Sequence, residues 1–386
     1  MDIEPTALQI LLDAIHSKRP VEGLTHDLYR YPARFSPEFA RAVIDQFSSV
    51  GSYMIDPFMG GGTSIVEAVA MGRYAIGIDL NPLAHFITDV KTTPLTSQDT
   101  TLIRNWFKKS PVGAAKYIDS SDHIVNLPLR LKMFFEQYLG RIMDLRTSKQ
   151  RKVARTALLK TGQWALDCRT EIPTRKQIAY KLNVVVEEVL EALSLWTNAC
   201  HESGISNDEI LQRRKLLCCS AAEAPNNAAL RSTTKQIRLL ITSPPYPGVH
   251  VLYHRWQVQG RRETPTPYWL TGQNDGNGES FYTLGGRSKI GIERYFNSIT
   301  HSFRSIRPLL HPKAYVVQLV AFSHIGSQLA RYSKAMGDAG YTEIESYSDR
   351  SGSRIWRKVP NRKWYADVHG EGDSMKEFLF IHRPSK

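Results

Sequence analysis

Cysteine is scarce here: only Cys168, Cys200, Cys218 and Cys219 occur among 386 residues, with no CxxC spacing. That usage excludes a disulfide scaffold and a cysteine-ligated zinc site, and it fits a reduced, cytoplasmic protein. Long apolar runs are missing too; none reaches the ~20 residues that a helix needs to cross a bilayer, so no membrane partner is expected. The opening stretch, MDIEPTALQILLDAIHSKRP, places acidic residues first and lacks a small-residue cleavage pattern, so it does not read as a signal peptide. Internal repeats and low-complexity tracts are absent. Acidic residues are the minority charge, 37 against 50 basic, and the net charge of +13 attracts polyanions, of which nucleic acid is the commonest in a cytosol. At 42% hydrophobic residues the chain has ample core for one large domain with a substantial insertion.

What is present begins with residues 54–82, MIDPFMGGGTSIVEAVAMGRYAIGIDLNP. A short buried-strand pattern ends at Asp56, three glycines follow, and Ile65, Val66, Ala68 and Val69 recur at helical spacing up to Gly72, a candidate C-cap. A second apolar strand, YAIGI, ends at Asp79. Such a β-loop-α-β unit lets bare backbone approach a ligand, and an acid about twenty residues on can bind ribose hydroxyls. A tight turn in any α/β protein is the other reading of the glycines. No GK[ST] follows them, which excludes a P-loop, and the G-x-G-x-x-G spacing is absent.

The second informative stretch is IRLLITSPPYPG from Ile237. Two successive prolines cannot continue a strand, because they lack donors and fix φ. The strand must stop there, presenting Ser243 and Tyr246 at the carboxyl edge where open α/β sheets bind ligands.

DPFMGGGT followed by TSPPY resembles the amino-methylating DNA methyltransferases, which transfer a methyl group from S-adenosylmethionine to an exocyclic base nitrogen. HDLYRYPARFSPEFARAVI (residues 26–44) is similar to the segment that contacts the methionine end of the cofactor in that family. The resemblance implies an α/β, Rossmann-like S-adenosylmethionine-dependent methyltransferase fold with a mainly helical insertion. It implies a catalytic domain formed by residues 1–96 and 214–386, interrupted by residues 97–213 as a DNA-recognition domain. Tyr31, Pro32 and Phe35 would then meet the methionine end. Asp56, Pro57, Phe58, Gly60, Gly62 and Thr63 would hold the amino-acid part, Asp79 the ribose, and Leu80 or Pro82 the adenine. Many relatives carry an Asp at the adenine amino contact; here the stretch reads CCSAAEAP, leaving Ser220 or Glu223 for that place. Ser243, Pro244, Pro245 and Tyr246 form the catalytic motif. Ser243 and the Pro244 carbonyl would accept from the target amino group, and Tyr246 would stack on a base swung out of double-stranded DNA. No metal is needed, because the methyl is already activated on a sulfonium. Serine at the first motif position is most typical of the cytosine-N4 branch, and adenine-N6 is the alternative. Carbon-5 methylation is excluded, because it needs a thiolate usually carried by Pro-Cys and no cysteine here follows a proline. The remaining alternatives are an RNA methyltransferase on the same fold and a catalytically silent DNA-binding protein. The resemblance places the chain in a bacterial or archaeal type of cytoplasm, with a cognate restriction endonuclease as a further partner.

Within the insertion, IPTRKQIAYKLNVVVEEVLEALSLW (Ile172–Trp196) reads either as a helix-turn-helix with its turn at Asn183-Val184 or as part of a plain helical bundle. The first reading puts Arg175 and Lys176 on DNA. After Tyr246, a long stretch of little periodicity holds Arg255, Trp256, Arg261, Arg262, Tyr268 and Trp269. These suit phosphates and an unstacked strand, or else a lid packed on its own domain. The basic stretch SGSRIWRKVPNRKWYADV is a further candidate DNA-facing edge.

Overall fold

The computed structural model describes residues 3–17, 19, 21–32, 34–109, 124–233, 236–248, 255–260, 262–274, 279–344, 354–358 and 376–385. Two helices lead in, α1 (Pro5–His16) and α2 (Pro37–Phe47). The second opens on a proline, which needs no partner for a missing N–H there, and Ser36 Oγ accepts from Phe39 N at 3.2 Å. Next come β1 (Tyr53–Asp56), α3 (Thr63–Ala70), β2 (Tyr74–Asp79) and α4 (Pro82–Lys91), the unit expected from the glycine stretch. A helical run follows: α5 (Ser97–Lys108), α6 (Leu129–Leu139), α7 (Ser148–Leu166), α8 (Arg175–Glu202) and α9 (Asn207–Gln212). Strands β3 (Arg214–Cys218) and β4 (Ile237–Thr242) return the chain to the sheet. A short hairpin, β5 (Trp256–Val258) with β6 (Arg262–Thr264), precedes α10 (Thr266–Thr271), α11 (Glu279–Tyr282) and α12 (Lys289–Ile306). The remaining elements are β7 (Leu310–Ala321), α13 (Ile325–Asp338), β8 (Tyr341–Glu343), β9 (Trp356–Lys358) and β10 (Lys376–Pro384).

The main sheet runs β3-β2-β1-β4-β7-β10-β8, with β9 also on β10. The strands from β3 to β7 are parallel, and β10 is antiparallel to β7, β8 and β9. This is the Rossmann-like α/β arrangement that the sequence led us to expect. Adjacent residues on each strand face opposite sides. Met54, Leu239 and Val317 meet Phe39, Val43, Ile65 and Val69 of α2 and α3 on one face. Ile55, Leu240 and Val316 meet Ile299, Phe303 and Met336 of α12 and α13 on the other. After β1 the chain moves toward β2, and after β3 it crosses to β4, so the strand order reverses between β1 and β4. Open α/β sheets bind ligands at such a reversal, beyond the carboxyl ends of the strands.

Of the two readings left open for Ile172–Trp196, the first fails. Ile172–Trp196 is no helix-turn-helix, because Asn183 and Val184 lie inside the single 28-residue helix α8. Neither residue breaks a helix, and Asn in a helix interior costs only about 0.7 kcal/mol relative to Ala. Ile178, Leu182, Val185, Val186, Val189 and Leu193 continue one buried stripe through the supposed turn. The Thr174–Gln177 capping box starts that helix, and Trp196 Nε1 donates to Val66 O at 3.0 Å, tying it to α3.

Candidate active site

The glycine loop closes on itself before any ligand is considered. Met59 N donates to Ile78 O at 3.0 Å and Gly62 N to Met59 O at 2.8 Å. Gly60 and Gly62 have φ of +47° and +74°, a region that residues with a side chain avoid. A Cβ on Gly62 would also stand 2.4 Å from Thr88 Oγ1 of α4. The glycines therefore serve close packing as much as ligand approach.

At the loop lies a cleft lined by Tyr31, Pro32, Arg34, Phe35, Pro57, Phe58, Gly60, Thr63, Asp79 and Leu80, together with Ser243 and Pro245. Most of the catalytic and cofactor residues proposed from sequence thus meet in one place. Asp79 accepts from Gly60 N at 2.9 Å and Asn81 N at 2.8 Å, and burial pushes its carboxyl up to about 6 in spite of those bonds. A carboxylate has about four lone-pair sites, so two remain for a ligand.

Four cofactor assignments need correction. Asp56 does not line the cleft: its oxygens accept from Phe58 N at 3.1 Å, from Thr242 Oγ1 at 2.7 Å and from the Ser64 hydroxyl. It ties the end of β1 to β4 and to the start of α3; burial raises it to about 6. Glu223 is exposed, and Ser220 and Ala221 occupy the wall instead. Gly62 lies behind the wall against Thr88, and Pro82 starts α4 rather than lining the cleft. The sequence reading missed Arg34, Tyr282, Leu284 and Ser302, all on the wall. Arg34 had a signal, a single cation between apolar residues in YPARF. Its Nη1 donates to His26 O at 2.6 Å and Tyr29 O at 3.4 Å, no carboxylate pairs with it among the described residues, and burial lowers it to about 10.

The segment carrying Tyr31 and Arg34 is fastened from below. His26 Nε2 is 2.7 Å from Glu67 Oε1, and Arg41 donates twice to the same carboxylate, at 3.0 Å each. Lys91 is fully buried, and its Nζ donates to Gly61 O at 2.8 Å and His26 O at 3.3 Å, joining the segment to the glycine loop. Burial, with Arg34 nearby, holds that amine well below its usual range. Lys91→Met strips Gly61 O of its side-chain donor and leaves His26 O with Arg34 alone, so we expect a loss of about 1–3 kcal/mol of stability and weaker ligand binding at the cleft. Denaturant unfolding beside ligand titration reads both; unchanged values would show that the fastening is idle.

Ser243 stands on the wall at the end of β4, donating to Leu319 O at 3.0 Å. Pro244 is buried behind it. Tyr246 corrects a further expectation. Its ring is 5% exposed and packed in the sheet core, and its phenol donates to Glu377, so in this conformation it offers no stacking face.

The residues assigned to DNA divide. Arg175, Lys176 and Arg262 are exposed, Arg175 bonding to Gln137 Oε1 at 2.8 Å. Arg255 is half-buried, 3.8 Å from Glu263. Trp256, Tyr268 and Trp269 are buried among α4, α7 and α8, with Trp256 Nε1 donating to Tyr29 Oη at 3.0 Å and Tyr268 Oη to Asn81 Oδ1 at 2.9 Å. They are core, because the helices supply apolar cover that the loop's own sequence does not reveal. Arg261 lies outside the described residues, as does most of SGSRIWRKVPNRKWYADV.

Against known proteins, residues 13–88 match the DNA methylase family of the N6/N4 type. The chain is similar to the Type II methyltransferase M.MvaI of Kocuria varians, 41% identical over 75 residues, 19% of this chain and 16% of that protein. It is also similar to the Type II methyltransferase M.MjaII of Methanocaldococcus jannaschii, 38% identical over 66 residues, which are 17% and 12% of the two chains. The matched stretches thus span well under a fifth of those relatives' lengths. Among solved structures, TrmN from Thermus thermophilus aligns over 96% of this chain and 55% of its own at 12% identity and a TM-score of 0.36. A geranyl diphosphate methyltransferase in complex with SAM aligns over 100% and 96% at 9% identity and 0.33. At such scores the likeness adds nothing to the topology described above.

Proposed function

We propose that this chain, a member of the amino-methylating DNA methyltransferases by its match over residues 13–88, transfers a methyl group from S-adenosylmethionine to the exocyclic N4 amino group of cytosine in double-stranded DNA. The observation that carries the reading is that Asp79, the glycine loop and Ser243 share one cleft at the strand-order reversal. The cleft also fits the cofactor chemically. Thr63 Oγ1 is buried on this wall with no hydrogen-bond partner among the described residues, and Asp79 keeps unused lone pairs. When bound, the cofactor supplies a methyl on a sulfonium, which needs no metal to leave. Arg34 and Thr63 would hold its amino-acid end, Asp79 its ribose hydroxyls, and Leu80, Ser220 and Ala221 its adenine. Ser243 accepts an N–H of the target amine and orients the nitrogen into the cleft, so positioning supplies most of the rate. A base inside a duplex cannot reach Ser243, so it must leave the stack at a cost of roughly a few kcal/mol. Transfer of labelled methyl to DNA, and not to RNA, tests the reading.

The pKa of Asp79 gives a pH signature. Only the ionised carboxylate accepts from both ribose hydroxyls, so cofactor affinity is full above about pH 6 and falls below it. The free protein responds in the opposite sense. Its folded pKa lies above the ordinary 3.8, so Asp79 lends stability as pH falls from about 6 toward 4. Calorimetric titration across pH 5–8 should show proton release on binding at the acid end; a flat profile would remove Asp79 from the ribose.

DNA contact is assigned to the helical block 97–213, with the exposed Arg175 and Lys176, and to Arg262 on β6. Arg175→Ala with Lys176→Ala should weaken DNA binding and make its salt slope shallower by about 1–2. An unaltered slope would place the phosphate contacts elsewhere.

A further inference from the structure

Behind Ser243 lies a buried chain of polar groups that the reaction does not itself use. Glu377 on β10 faces Arg357 on β9 directly across the strand pair, and Arg357 Nε donates to its Oε2. The other carboxylate oxygen takes the Tyr246 hydroxyl. Glu377, Arg357 and Tyr246 are 2%, 5% and 5% exposed, so water does not compete for these bonds. Ser243 Oγ lies 3.1 Å from Tyr246 Oη and 3.0 Å from Leu319 O.

Counting protons fixes the direction of each bond. A carboxylate only accepts, and tyrosine has one O–H, which Glu377 takes. A carbonyl also only accepts, so neither neighbour of Ser243 has a proton to give it. The serine proton must point inward, and its lone pairs are left for the cleft. We propose that Glu377, held by Arg357, is a positioning residue that acts through Tyr246 to lock Ser243 as a hydrogen-bond acceptor. This rests on the reading of Ser243 given above. The lock selects for an amino group and against a base carbonyl at the same place, because a carbonyl would meet only lone pairs. Without Glu377, the tyrosine proton turns to Ser243 and occupies the oxygen that the amine needs.

Glu377→Gln tests this, since an amide can donate to Tyr246 and reverse its proton. We expect single-turnover methyl transfer to fall about tenfold at saturating cofactor and DNA, with cofactor affinity unchanged. In a Tyr246→Phe background, where no phenol can turn, the same substitution should cost nothing further. An equal loss in both backgrounds would make Glu377 merely structural and overturn the proposal, as would no loss in either. A second readout needs no transfer and so separates this proposal from the methyltransferase reading. The Tyr246 hydroxyl proton, identified by NMR through its absence in Tyr246→Phe, should lie far downfield and shift upfield in Glu377→Gln. A resonance indifferent to Glu377→Gln would refute the lock even if the wild-type protein methylates DNA.

Discussion

Ser243→Ala is expected to slow methyl transfer about 30-fold, a loss of about 2 kcal/mol, while cofactor affinity stays within twofold. The serine oxygen lies on the cleft wall and donates its proton to Leu319 O, so it meets the target amine as an acceptor. Alanine leaves an amine proton facing an apolar methyl where the serine oxygen had accepted it. That penalty falls on the reacting complex alone, because the cofactor is assigned to other groups of the cleft, Arg34, Thr63 and Asp79. Single-turnover rates at saturating substrates, beside calorimetric titration of the cofactor, separate the two effects. An unchanged rate would remove Ser243 from the chemistry. A rate loss matched by lost cofactor affinity would make it part of the cofactor site.

Asp79→Ala should act in the complementary way, weakening cofactor binding by about 1–3 kcal/mol, roughly 5- to 150-fold. Two losses combine. The ribose hydroxyls lose a charged acceptor, and Gly60 N and Asn81 N lose the groups that hold the loop in its turn. Asp79→Asn keeps one acceptor oxygen, so its loss should be smaller and its affinity independent of pH near 6. If both variants bind as the wild type does, Asp79 is only a brace for the glycine loop. Asp56 is already such a brace, and its replacement should show in stability before affinity.

The contrast between those two aspartates shows where sequence reasoning reaches and where it stops. Each ends an apolar strand before a turn; the spacing from the glycines marks Asp79 for the ribose, but nothing local says that Asp56 turns away from the ligand. The hydroxyls that turn Asp56 inward, Ser64 and Thr242, lie 8 and 186 residues away in sequence. The β1-loop-α3-β2 unit and the abrupt end of β4 were legible, because strand patterning, glycine and paired proline act locally. The two readings of Ile172–Trp196 stayed open because Asn183 is a weak local signal, overruled in the fold by a buried stripe running through it. Trp256, Tyr268 and Trp269 looked like contacts for DNA because they sit among polar residues. Their cover comes from helices far away in the chain. Glu377 had an unused signal, a lone acid in the apolar run EFLFI, a pattern that marks a buried charge with a partner.

The central claim is that Ser243 presents cytosine N4 to the methyl donor in this cleft. The most direct measurement is to incubate the protein with methyl-labelled S-adenosylmethionine and mixed DNA, digest to nucleosides and identify the labelled one by mass. The account predicts label in N4-methylcytosine, lost in parallel with activity in Ser243→Ala. Label in N6-methyladenine with none in N4-methylcytosine would contradict the base assignment, and no label in any nucleoside would contradict the activity itself.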